Sequence, residues 1–93
     1  MASNNFDVQA QALLDESDEI QQTVNDIGRV IDQLRQNCTA ISNAWDSDTS
    51  DRDSYLGTLE RNLQRVANLC AAAQKLATQL RIFAENAIRE SMN

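Results

Sequence analysis

Ala44-Trp45-Asp46-Ser47-Asp48-Thr49-Ser50-Asp51 lies at the midpoint of a 93-residue chain, and on both sides of it the apolar residues recur in helical heptads. Upstream, Phe6, Ala10, Leu13, Ser17, Ile20, Val24, Ile27, Ile31, Leu34, Cys38 and Ile41 follow alternating steps of four and three residues, with Ser17 the only polar member. Downstream, Leu56, Leu59, Leu63, Val66, Cys70, Ala73, Ala77, Leu80, Ala84 and Ala87 keep the same rhythm. Steps of three and four place every member on one stripe of an α-helix, whereas a strand would alternate every second residue. The spacing predicts helix one over about 5–43, a turn over 44–50 and helix two over 51–89. The fold class is therefore an all-α, antiparallel two-helix hairpin in a single domain.

Composition points the same way. The chain has no proline and only two glycines, so nothing in it breaks a long helix. Gly28 lies one place past the core position Ile27, where it costs about 1 kcal/mol of helix stability relative to alanine. It is either a tolerated defect or the site of a close backbone contact. Each helix would be roughly 55 to 60 Å long, and rods of that length need partners along them.

The turn is dense in residues that favour caps. Ser47, Thr49 and Ser50 can each accept a backbone N–H at a helix start, and Ser50 with Asp53 has the spacing of a capping box. Asp51 and Asp53 are expected in the first turn of helix two, where negative charge suits the helix dipole. Trp45 is read as an apolar plug that closes this end of the bundle.

Charge is divided between the helices. Before Trp45, Asp7, Asp15, Glu16, Asp18, Glu19, Asp26 and Asp32 outnumber Arg29 and Arg35; after Ser54, five bases outnumber three acids. Opposite signs favour packing one helix on the other and bias their register. The later half of helix two offers Cys70, Ala73, Ala77, Ala84 and Ala87, which are expected against the bulky Ile20, Val24, Ile27 and Ile31 of helix one.

One hairpin seam does not use all the apolar surface. A further series at seven-residue spacing, Tyr55, Asn62, Leu69, Leu76 and Phe83, widens the apolar face of helix two. A face that wide suits a bundle rather than a two-stranded seam. Tyr55, Leu69, Leu76, Leu80 and Phe83 are expected to form an interface with a second helical hairpin, making a four-helix bundle by homodimer or heterodimer.

Other chemistries are poorly supported. The chain has no histidine and no glycine-rich phosphate loop, and a two-helix hairpin makes no natural cleft, so no catalytic, cofactor or metal residue is expected. Asp46, Asp48 and Ser50 have the spacing of the first calcium-loop ligands, but Asp51 stands where that loop requires glycine and Gly57 where it requires glutamate. Net charge of −6 and a pI near 4.3 disfavour nucleic acid. No apolar run approaches a bilayer span and no secretory leader is evident, so a soluble chain is expected. With a turn centred near residues 49 to 51, Cys38 would lie opposite about residue 62, roughly 12 Å out of register with Cys70. A disulfide needs Cα atoms within about 7 Å, so two free thiols are expected within a hairpin.

Length, heptads and a central tryptophan turn together resemble the WXG family, the early-secreted-antigen-like helical hairpins exported by type VII secretion systems. Trp45-Asp46-Ser47 looks like a W-x-S variant of that family's W-x-G turn, with Ser47 in place of glycine. The resemblance implies a small non-catalytic binding protein that is either exported itself or escorts a larger effector by its helical N-terminal region. It also implies secretion by a route independent of a signal peptide, with residence in the cytoplasm before export. The family's C-terminal export signal is an aromatic followed four residues later by an acid; here Phe83 is followed by Ala87, which implies export together with a partner. The periodicity alone fits equally a cytoplasmic coiled-coil adaptor with no link to secretion.

Overall fold

A computed structural model describes the backbone of residues 2–46 and 49–92 and the side chains from Val8 onward. Two helices occupy almost all of it, α1 (Ala2–Ala44) and α2 (Thr49–Ser91). The fold is thus all-α, with a helical hairpin at the turn. No described residue has a positive φ, and none departs from a trans peptide. The helices also carry local support: Gln11 with Asp15, Gln33 with Asn37 and Gln64 with Asn68 pair at i,i+4 along their exposed sides.

Both helices extend past the ranges that the spacing predicts. Helix α2 begins at Thr49, so Ser50 lies inside its first turn rather than ahead of it. Ser47, the expected turn residue, and Asp48 lie outside the described residues, as does the side chain of Phe6. Asp51 does sit in the first turn of α2 and Arg89 in its last, both signs favourable to the helix dipole. Asp53 lies beyond that turn and pairs with Arg52 at 3.1 Å.

The chain divides into two compact units, and each has its own packing. In the first, Met1–Val24 with Ala71–Asn93, the two helices meet antiparallel through small residues. Ala10, Ala84 and Ala87 form a buried cluster flanked by Leu13, Leu14 and Ile88. Ser17 is completely buried, and its hydroxyl donates to the Ala77 carbonyl at 2.7 Å. That bond explains a polar residue in an apolar stripe: a helical carbonyl has a second lone pair to offer, and a serine is small enough to reach it. Helices that touch through alanine and serine approach to about 8 Å, the short end of the usual range.

The second unit, Asn25–Cys70, holds the turn. Its buried residues are large, Ile31 and Leu63. Arg35 pairs with Glu60 at 3.3 Å, which marks the antiparallel register here, with Ile31 and Leu63 one turn further from the hairpin end. The expected match of small helix-two residues with Ile27 and Ile31 is therefore corrected. Ala77, Ala84 and Ala87 belong to the first unit and face Ser17 and Ala10, whereas Ile27 and Ile31 belong to the second.

The reason is the position of the turn. Helix α1 ends at Ala44 and α2 starts at Thr49, so the reversal centres a few residues earlier than 49 to 51. Cys38 consequently lies nearer the level of residue 57 than 62, further still from Cys70. Both cysteines are free and half-buried.

Gly28 meets nothing: a methyl group added to it would have no neighbour within 4 Å. No close backbone contact requires it. Gly28→Ala is expected to raise the stability of the chain by about 1 kcal/mol, read as a higher midpoint in urea unfolding. An unchanged or lower midpoint would contradict the open space at that position.

Candidate protein-interaction face

Helix α2 presents two adjacent lines of residues at seven-residue spacing. Leu63, Ala77 and Ala84 belong to the line that is buried, with Cys70 half-buried among them. The neighbouring line, about 100° around the helix, carries Tyr55, Asn62, Leu69, Leu76 and Phe83. Every described member of it is exposed: Tyr55 by 51%, Leu69 by 69%, Leu76 by 63% and Phe83 by 65%. Leu80, expected with them, is half-buried, because it also belongs to the hairpin stripe between the two lines.

The packing within each unit leaves that line exposed. Six apolar side chains are buried among the described residues, and four of them are alanines. Val66 and Ile82 add to the uncovered surface of α2. The heptad spacing places Val66 in the seam. It is 40% exposed. Ile82 falls on neither heptad line, and only its proximity to Phe83 in the sequence could have signalled it. Among the described residues of α1, by contrast, the exposed large apolar ones are Val8 and Val30, far apart in the sequence.

Tyr55 is partly engaged within its own unit. Its ring lies 6.1 Å from that of Trp45, tilted by 37°, a favourable geometry for two aromatic quadrupoles. Trp45 itself is half-buried, and its backbone N–H donates to the Ile41 carbonyl at 3.0 Å, prolonging the last turn of α1. Around it, Ile41, Ala44 and Asp46 line a shallow, open depression. This placement suits a plug at the hairpin end. In the same unit, Val66 and Leu69 are the other exposed large apolar residues of α2.

The ion pairs between the helices do not share one charge pattern. Arg81 bonds Asp18 across the helices in the expected sense, basic α2 to acidic α1, but Arg35 with Glu60 runs the opposite way. The remaining pairs, Arg29 with Asp26, Arg52 with Asp53 and Arg81 with Glu85, are local to one helix. Pairs this exposed typically contribute below about 1 kcal/mol each.

Among the described residues, no group of three or more histidine, cysteine, aspartate or glutamate side chains could hold a metal ion. Of the calcium-like positions, Ser50 lies in α2, Asp46 precedes it and Asp48 lies outside the described residues. No described helix is long and apolar enough to cross a membrane. No known family, curated protein or solved structure matches the chain.

Proposed function

We propose that this chain is a small non-catalytic binding protein that acts by burying the exposed face of α2 against another helical hairpin or the helical N-terminal region of a larger effector. In this reading it serves as a type VII secretion substrate or as the escort of one, as its WXG-like turn implies. The observation that carries the proposal is the exposure of Leu69, Leu76 and Phe83 on a helix whose hairpin core is mostly alanine. Covering each large side chain contributes about 1.5 to 3 kcal/mol, so a partner supplies stability that the chain lacks alone. Phe83 followed by Ala87 favours export in company over export alone.

Replacing Leu76 and Phe83 together with aspartate tests this. Both are exposed, so the variant is expected to keep its helical circular dichroism while losing the partners that the native chain brings down from its own cells. An unchanged set of partners, with helicity intact, would place the interface elsewhere. Whether the chain reaches the culture medium separates the secretory reading from that of a cytoplasmic coiled-coil adaptor.

A further inference from the structure

Charge at the hairpin end is one-sided. Between Ala44 and Tyr55 the sequence carries four aspartates, Asp46, Asp48, Asp51 and Asp53, against one base, Arg52, and that arginine is engaged by Asp53 at 3.1 Å. Helix α1 ends here as well, and its last turn holds no basic residue. The carbonyls that close a helix carry about half a negative charge together, which a lysine or arginine in the last turn commonly offsets. This helix end has no such residue of its own.

The depression beside Trp45 lies at that helix end. Ile41, Ala44, Trp45 and Asp46 line it, three apolar side chains and one carboxylate around a volume of about 340 Å³. Trp45 is half-buried, so part of the indole packs on the hairpin and part is left to this surface. The Tyr55 ring, with its centroid 6.1 Å away, steadies the indole. Asp46 is exposed and belongs to no ion pair among the described residues.

We infer that this depression binds a small organic guanidinium, its plane against the Trp45 indole and its N–H groups donating to the Asp46 carboxylate. Every residue of the site belongs to the Asn25–Cys70 unit, and the inference is independent of what covers the exposed line on α2. The carboxylate, the helix end and the face of the indole are all negative, and all favour a cation. Shape then selects among cations. A tetrahedral ammonium gains most from a cage of several rings, whereas an open depression with one indole offers a single flat surface. A guanidinium is flat, stacks on aromatic faces and presents two parallel donors to a carboxylate.

Titration of the full chain with butylguanidinium at constant ionic strength tests the inference. Trp45 is the one tryptophan, so its emission reads the site directly. The emission is expected to change saturably with a midpoint of roughly 10 mM, as befits a few exposed contacts. Butylurea, which has the same shape without the charge, is expected to give no saturating change, and tetramethylammonium to bind about fivefold more weakly. Asp46→Asn is expected to raise the butylguanidinium midpoint about fivefold with helical circular dichroism unchanged, while Asp15→Asn, at an exposed acid of the other unit, leaves the midpoint where it was. A linear response common to butylguanidinium and butylurea, or equal midpoints for the two variants, would overturn the site. Tetramethylammonium binding as tightly as butylguanidinium would overturn the assignment of the ligand. None of these results bears on capture of a partner through Leu69, Leu76 and Phe83, which the Leu76/Phe83 variant tests separately.

Discussion

Ala77→Leu is expected to destabilise the chain by about 3 kcal/mol or more and to leave it largely unfolded at room temperature. Ala77 has no exposed surface, and its carbonyl receives the Ser17 hydroxyl at 2.7 Å from the facing helix. Three added carbons at that point must displace Ser17 and push the helices apart. The separation would also loosen the Ala10, Ala84 and Ala87 cluster in the same unit. Ala72→Leu is the control, because Ala72 is exposed on the same helix and should change stability by less than about 0.5 kcal/mol. Thermal unfolding followed by circular dichroism reads both. Equal midpoints for the two variants would mean that the helices do not approach closely at Ser17.

Leu63→Ala is expected to cost about 2 to 5 kcal/mol by the opposite route, a cavity in place of a clash. Leu63 and Ile31 are the only large side chains buried among the described residues, and both lie in the unit that holds the turn. Urea unfolding gives the loss directly. A loss below about 1 kcal/mol would show that Leu63 is not a principal packing contact.

The helices and their inward stripes were legible in the sequence because burial in a helix leaves a period. Each described member of the helix-one stripe, from Ala10 to Ile41, is buried or half-buried, and so is each member of the helix-two stripe except Val66. The register was not legible. A seven-residue repeat fits its partner almost as well after a slip of one heptad, so periodicity fixes which face is inward but not which residue meets which. Register follows from the turn, and the cap-forming residues at 47, 49 and 50 offered several starts for helix two. Taking a later one shifted the matching and turned small-on-small contacts into small-on-large ones. Ser17 looked like an interruption for the same reason: its acceptor is a backbone carbonyl, which no side-chain pattern announces. The exposed line on α2 was visible as surplus apolar spacing, but the contact of Tyr55 with Trp45 was hidden, since the two straddle the break in the pattern.

The aromatic pair at the hairpin end has an optical consequence. The chain has one tryptophan and one tyrosine, and both belong to the Asn25–Cys70 unit. Near-ultraviolet emission and tyrosine-to-tryptophan energy transfer therefore follow the melting of that unit alone, while far-ultraviolet ellipticity sums the helices of both. Superimposed curves would mark a single cooperative transition, and separated ones would show the alanine-packed ends fraying before the leucine-packed turn. The molecule carries its own two-channel reporter, and no extrinsic dye is needed to read it.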